Sequence, residues 1–267
     1  MENKERDGAV WSSQKIQDQN LVSVIMPAHN SERFISQSIK SVISQTYTRW
    51  ELVVCSDSSS DSTKSIVEEW ARLDPRIRLI CTKDKIGPGK ARNLALTVAR
   101  GRWIAFLDSD DIWEPEKLRY CLDLASSSDS ALVFTAYQRI GQRSEKIGKP
   151  ITVPEETDYH RLLRSNVVGT STAVVDRRVL ENFSMVEEAD FDDYATWLKI
   201  ARDGHKLRGL TLTLTQYRVA QKSFSSNKLR AARYVMAIYR DIERLPTIRR
   251  YYYFMVYAVL GAIKTVK

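Results

Sequence analysis

Three carboxylates stand together directly after an apolar run, in Phe106-Leu107-Asp108-Ser109-Asp110-Asp111. Like charges this close repel, so the arrangement favours a bound cation. Mg²⁺ or Mn²⁺ suits it, because Mg²⁺ takes one or two carboxylates and fills its shell with waters and phosphate oxygens. Read alone, the same acids would serve equally as the N-cap of a helix opening near Pro115. A second acidic loop, Ser56-Asp57-Ser58-Ser59-Ser60-Asp61, follows another apolar run. A third acidic pair, Asp192-Asp193, opens an amphipathic segment, where helix capping is again the bland alternative. Gly87-Pro88-Gly89-Lys90 resembles a phosphate loop only superficially. It lacks the first glycine at the required spacing, and Ala91 replaces the Ser or Thr after the lysine, so a Walker-type NTPase is rejected. What remains is a glycine-rich helix start with Lys90 and Arg92, two cations suited to offset diphosphate charge.

The elements that must position these groups follow from hydrophobic spacing. Leu21–Met26, Glu51–Cys55, Ile77–Cys81 and Arg102–Leu107 are apolar, β-branched runs of strand length. Between them, Ser31–Ser44, Asp61–Leu73 and Lys90–Arg100 have helical spacing, with Asp61 as an N-cap and Gly101 as the stop of the third. A fourth helix spans Glu114–Ser127. This alternation predicts an α/β fold with a mostly parallel central sheet flanked by helices. Ligands of such sheets bind at the carboxyl ends of the strands. The three loops there are Pro27-Ala28-His29-Asn30, the Asp57 loop and the Asp108 loop. The second half is less regular: a strand at Ala131–Tyr137, a loop or hairpin over 140–153, and a short helix at Thr157–Arg164. Then come a strand at Thr172–Val175, a helix at Asp190–Arg202, a strand pair within Lys206–Arg218, and two helices near 228–244 and 246–265.

Taken together and in this order, several segments resemble the family 2 glycosyltransferases of the GT-A fold. They are Val22-Ser23-Val24-Ile25-Met26-Pro27-Ala28-His29-Asn30, Ser41-Val42-Ile43-Ser44-Gln45-Thr46-Tyr47 and Trp50-Glu51-Leu52-Val53-Val54. Asp57-Ser58-Ser59-Ser60-Asp61-Ser62-Thr63, Gly89-Lys90-Ala91-Arg92-Asn93, Asp108-Ser109-Asp110-Asp111 and Asp192-Asp193-Tyr194-Ala195-Thr196-Trp197-Leu198-Lys199 complete the set. The likeness covers roughly residues 21–220 and is strongest to small bacterial enzymes of cell-surface polysaccharide assembly, of the teichuronic acid, O-antigen or capsule type. It implies an inverting, metal-dependent transferase that moves a sugar from a nucleoside-diphosphate sugar, UDP favoured, to a saccharide acceptor that is lipid-linked. By the same resemblance Asp193 is the general base, with Asp192 as the alternative. Asp110, with Asp108, holds Mn²⁺ or Mg²⁺. The nucleotide sugar is bound by Pro27, Ala28, His29, Asn30, Glu32, Asp57, Lys90, Arg92, Asp108 and Ser109. Asp57 would accept the uracil N3–H. Gly169, Thr170, Asp192 and Trp197 would shape the acceptor or donor-sugar pocket. Two departures stand out: His29 replaces the usual tyrosine, and Ser56 and Ser58 replace the first Asp and the Gly of the usual Asp-Asp-Gly-Ser loop.

The chain has 267 residues, enough for one large domain or one plus an appendage. The reading divides it into a polar tail (1–20, with Trp11 the one residue there expected to dock), a catalytic domain (21–225) and a helical segment (226–267). The catalytic domain splits into a nucleotide half, about 21–113, and an acceptor half, about 114–225. Three scattered cysteines and three histidines form neither a disulfide framework nor a zinc site, which fits a reducing cytosol. The polar first 20 residues lack the apolar stretch of a signal peptide. The longest apolar run, Tyr251–Ile263, is too short to span a bilayer.

The net charge is +8. Residues 226–267 hold nine Lys/Arg against two Asp/Glu, a net of +7, interleaved with seven aromatic rings. That pattern suits an anionic membrane surface, and the expected location is peripheral, at the cytoplasmic face of the plasma membrane. Packing on the domain, or a homodimer, is the alternative. The polar segment Gln221–Asn227 is either a flap over the donor or a linker. No nucleic-acid-binding motif accompanies the basic charge, so nucleic acid is not an expected partner. A nucleotidyltransferase would share metal, nucleotide and sheet, but would release pyrophosphate.

Overall fold

A computed structural model describes residues 18–180, 185, 192–219 and 228–266. The expectations for Trp11, Asp190 and the 221–227 segment lie outside the described residues. The first half alternates as expected: β1 (Asp18–Ala28), α1 (Ile35–Ile43), β2 (Trp50–Asp57), α2 (Thr63–Leu73), β3 (Ile77–Thr82), α3 (Pro88–Val98) and β4 (Gly101–Phe106). A two-residue strand β5 (Ile112–Trp113) precedes α4 (Lys117–Ser128). The second half adds β6 (Leu132–Ile140), β7 (Lys146–Ile151), β8 (Glu156–Thr157), α5 (Tyr159–Arg164), β9 (Val174–Asp176), α6 (Asp192–Arg202), β10 (Leu207–Arg218), α7 (Lys228–Ala237) and α8 (Thr247–Val266).

One sheet runs in the order β3-β2-β1-β4-β9-β6-β10-β5, with β7 on β6 and β8 on β10. Its first four strands are parallel. β9 then lies antiparallel to both β4 and β6, and β6 is again parallel to β10. The sheet is therefore mixed, and it is covered on both faces. Alternation along β1 shows this directly: Val22, Val24 and Met26 enter one apolar cluster with α1, α2 and α4, while Ile25 enters the other with α3, α5 and α6. The chain leaves β1 toward β2 and β3 on one side, and returns to β4 on the other. That reversal opens a crevice at the carboxyl ends of β1 and β4, the usual ligand site of such a sheet.

Several element expectations are corrected. Lys206–Arg218 is one strand, not a pair. Gly209 lies where a Cβ would meet the Pro154 carbonyl oxygen at 2.0 Å, so the glycine permits close approach rather than a turn. Gly101 does not stop α3, which ends at Val98. It sits in β4, where a Cβ would lie 2.5 Å from the Leu21 carbonyl oxygen. Thr170–Thr172 forms a 3₁₀ turn, and the strand begins only at Val174. The N-cap of α2 is Ser62 and not Asp61, although the Asp61 carboxylate, one residue earlier, accepts the Thr63 N–H at 3.0 Å. The tail helices are not a loose appendage. Val235, Ile238 and Tyr239 are buried in the same core as α5 and α6. Tyr159 and Arg202 both donate to the buried Glu243 carboxylate, at 2.6 and 3.0 Å.

Candidate functional site

The crevice wall beside β1 is built by stitching its loop to the loop after β2. Pro27 and Ala28 end β1 buried, paired in register with Cys55 and Ser56. The His29 ring nitrogen Nδ1 lies 2.6 Å from the Asp57 carbonyl oxygen. Asn30 adopts φ +48° and accepts the Ser60 N–H. Glu32 accepts the Ser62 N–H at 2.9 Å, while its own N–H donates to Asp61. Ser58 takes φ +50°, so the left-handed turn survives without its glycine, at the conformational cost a side chain brings there.

Asp57 is bound into the same wall. Its carboxylate accepts Thr82 Oγ1 at 3.0 Å, the Ile86 N–H at 2.8 Å and the Gly87 N–H at 2.8 Å. It is buried and shapes the 82–87 loop through these three bonds, which leave about one of its four acceptor positions for a base. That loop then delivers α3, whose first turn carries Pro88, Gly89 and the exposed Lys90.

The acidic loop lies across the crevice. Ser109 and Ser31 share a 2.7 Å hydrogen bond, which joins the loops after β4 and β1. Burial and the neighbouring Asp108 push the Asp110 carboxyl up to about 6. Burial also pushes Asp111 well above the ordinary range, with Asp110 and Asp108 adding to it. Asp111 accepts the Arg218 N–H at 2.7 Å, but its Oδ2 is buried without a hydrogen-bond partner. Three crowded acids, one with an orphaned oxygen, fit a divalent cation. Among the described residues no group of three His, Cys, Asp or Glu side chains is arranged to hold a metal. Asp110 and Asp108 are the candidate donors, a pair that does not include the orphaned oxygen of Asp111; two carboxylates would suit an ion that takes its remaining ligands from phosphate and water.

Arg92 links this loop to the opposite side of the site. It is buried, and its guanidinium donates to Asp108 at 2.6 Å and to Asp192 at 3.0 Å. Burial works against its charge, but these two carboxylates hold its pKa above the ordinary value. Arg92 is therefore a clamp between carboxylates, and Lys90 is left as the exposed cation of α3; this corrects the expectation that both face diphosphate. Gly89 makes the approach possible, since a Cβ there would lie 2.7 Å from the Asp192 Oδ2.

Asp192 is consumed by that clamp, whereas Asp193 is not. Asp193 accepts the Thr170 hydroxyl at 2.6 Å on one oxygen and the Tyr194 N–H at 2.7 Å on the other. Burial, reinforced by the charge of Asp192, pushes its carboxyl up to about 6. A carboxylate poised there is matched to taking a proton near neutral pH. Gly169 is half-buried beside Thr170. Trp197 does not line a pocket. One turn beyond Asp193, it is fully buried and packs edge-on against Phe106 at 5.8 Å between centroids.

Two supports come from far along the chain: the role of Arg218 escaped sequence reasoning, whereas Ser171 stands in the Gly169-Thr170-Ser171-Thr172 segment expected to shape the sugar pocket. Arg218 ends β10 and donates from Nε to the Asp110 carbonyl at 2.7 Å, and from its guanidinium to the Gly141 carbonyl and Gln37. Ser171 accepts the Asp108 N–H at 3.0 Å. Arg218 is 107 and 108 positions from Asp111 and Asp110, and Ser171 is 63 from Asp108, so no local pattern announces these contacts.

Comparison with known proteins is consistent with this geometry. Residues 23–184 match the family described as Glycosyl transferase family 2. An Escherichia coli protein named UDP-Glc:alpha-D-GlcNAc-diphosphoundecaprenol beta-1,3-glucosyltransferase WfgD is 38% identical over 92% of this chain and 96% of its own. TuaG of Bacillus subtilis, named for teichuronic acid biosynthesis, is 35% identical over 89% of this chain and 94% of its own. Among solved structures, Staphylococcus aureus TarS 1–349 with UDP-GlcNAc superposes with a TM-score of 0.70 at 20% identity, covering 89% of this chain and 71% of that one. A Pyrobaculum calidifontis mannosyltransferase with GDP-Man and Mn²⁺ gives 0.67 at 20% identity, over 92% and 75%. These structures share the GT-A fold.

Proposed function

The chain belongs to glycosyl transferase family 2 and is a glycosyltransferase, and from that premise we propose an inverting, metal-dependent enzyme of bacterial surface polysaccharide synthesis. The donor is a nucleoside-diphosphate sugar, UDP favoured, and the acceptor a lipid-linked saccharide. Relatives named for UDP-Glc and diphosphoundecaprenol support that choice of substrates. The observation that carries the reading is Asp193: a carboxylate outside the Arg92 ion pair, raised to about 6, held by the Thr170 hydroxyl and the Tyr194 N–H, and adjacent to the Asp192–Arg92 link to the acidic loop after β4.

In this mechanism the acceptor hydroxyl sits between Asp193 and the sugar C1. Its oxygen attacks C1 as the bond from C1 to the diphosphate oxygen breaks, and the nucleoside diphosphate leaves with the electron pair. Asp193 takes the hydroxyl proton, a contribution of roughly 10²–10⁴-fold. Attack opposite the leaving group inverts the anomeric centre. Asp110 and Asp108 would hold Mn²⁺ or Mg²⁺, which when bound supplies charge stabilisation to the departing diphosphate. Lys90 and the backbone N–H groups opening α3 add positive potential there. Pro27, Ala28, His29, Asn30, Glu32 and Ser109 frame the nucleotide crevice. Gly169 and Thr170 border the sugar end.

No helix among the described residues is long and apolar enough to cross a membrane. The basic, aromatic segment 226–267 is proposed to rest on the anionic cytoplasmic face of the plasma membrane, next to the acceptor, and a homodimer is the competing use of that surface.

Asp193→Asn tests the base directly. The expected result is loss of transfer with donor affinity retained by calorimetry. Near-normal turnover in that variant would sink the assignment.

A further inference from the structure

The 3₁₀ turn Thr170–Thr172 faces two ways. On the site side, the Thr170 hydroxyl donates to Asp193 at 2.6 Å, and the Ser171 hydroxyl oxygen accepts the Asp108 N–H at 3.0 Å. On the core side, Trp113 Nε1 donates to the Ser171 carbonyl at 2.8 Å, and Lys117 Nζ donates to the Thr172 carbonyl at 2.8 Å. Lys117 is fully buried, with its ammonium 5.0 Å from the centre of the Trp113 ring.

We propose that this turn is the positioning device of the site, with Thr170 aiming the base, Ser171 setting the acidic loop, and Lys117 locking the turn. The inference rests on reading Asp193 as the base. Burying an ammonium is costly, and a methionine would fill the same space without that cost. The charge is put to use in a charge-assisted bond to one carbonyl of the turn, stronger than a neutral donor would make. Adjacent residues on so short a turn move together, so a shift at Thr172 reaches both hydroxyls. A misplacement of about 1 Å between reacting groups costs on the order of 100-fold in rate.

The charged and titratable groups facing Asp193 are Asp192 on its own helix, Arg92 from α3 and Tyr257 from α8. None of them changes when Thr170 is replaced. The Thr170 hydrogen bond favours the ionised base, so removing it moves the base's titration upward.

Three variants test the proposal: Thr170→Val, Thr170→Ser and Lys117→Met. Thr170→Val is expected to lower kcat for transfer on the order of 10–100-fold. Its kcat should fall more than its donor KM rises, and the acid limb of its pH–rate profile should move to higher pH. Thr170→Ser should restore both. Lys117→Met should lower kcat in the same way, again by more than donor KM rises. Wild-type kcat and an unmoved acid limb in folded Thr170→Val would overturn the proposal, as would wild-type kcat in folded Lys117→Met. If Lys117→Met fails to fold, the valine–serine pair decides alone. An active Asp193→Asn instead defeats the base reading, so the two failures are distinct.

Discussion

At the scale of single residues, the site is a set of carboxylates held in unequal states. Asp192 is ion-paired with Arg92, Asp193 is raised by burial and by the charge of Asp192, and Asp110 is raised by burial and by Asp108. The titration of Asp193 has a thermodynamic signature. Its pKa is higher folded than unfolded, so between about pH 4 and 6 the native state holds a proton the unfolded chain has released. Stability from this group is therefore present at low pH and lost as pH rises through about 6. Thermal melts should show the wild type gaining on Asp193→Asn as pH falls from 7 to 5, and parallel curves would contradict the raised value. Arg92→Met should cost about 3–5 kcal/mol in urea unfolding, because it strands Asp192 and Asp108 without their shared partner. A cost below about 1 kcal/mol would show the clamp to be incidental. The acids themselves were legible in the sequence as charges crowded after an apolar strand, and it was their place in the order of segments that set them apart from a helix N-cap. Their division of labour was not. Arg92 and Asp192 are 100 positions apart, and Asp57 accepts the Thr82 hydroxyl and the Ile86 and Gly87 N–H groups, 25–30 residues on. Trp197, expected at the pocket, is a core residue, the commoner place for a tryptophan on an amphipathic helix.

At the scale of elements, apolar runs between acidic loops located β1 to β4, because a strand buried on both faces needs a continuous β-branched segment. The two-residue strands β5 and β8 are too short to leave a pattern. Glycines proved ambiguous: Gly101 and Gly209 lie inside strands, where neighbouring backbone comes too close for a side chain. Gly89 serves contact between elements in the same way. Gly89→Ala should push Asp192 off its place against α3 and lower kcat with modest loss of stability, read by paired activity and melting measurements. An unaffected kcat would mean that the α3–α6 contact yields without consequence. The tail helices are tied down by a buried carboxylate. Glu243→Ala removes the acceptor shared by Tyr159 and Arg202, and should cost about 1–3 kcal/mol in chemical unfolding.

At the scale of the whole molecule, the basic charge and the apolar surface coincide. Six of the ten exposed large apolar side chains among the described residues lie on α8: Ile248, Tyr251, Tyr252, Met255, Val259 and Leu260. No acid follows Glu243, whereas Arg244, Arg249, Arg250, Lys264 and Lys267 do. An isologous dimer through this face would bring like charges together, so an anionic bilayer is the better complement. Because α7 and the inner face of α8 belong to the core, point variants separate docking from folding where truncation would not. Met255→Glu and Val259→Glu should abolish flotation with anionic vesicles and leave the melting temperature unchanged. Flotation equal to wild type would assign the face to another partner. The sequence placed the charge correctly, but not the packing that divides α8 into an inner and an outer face.

The claim that joins these scales is transfer of a sugar from a nucleotide donor. It is tested most directly by incubating the purified full chain with a panel of nucleotide sugars, Mn²⁺ or Mg²⁺ and a lipid-linked saccharide, and identifying the released nucleotide. The account predicts release of UDP that depends on the metal, rises with acceptor and disappears in Asp193→Asn. Release of pyrophosphate, or no nucleoside diphosphate from any donor, would contradict it.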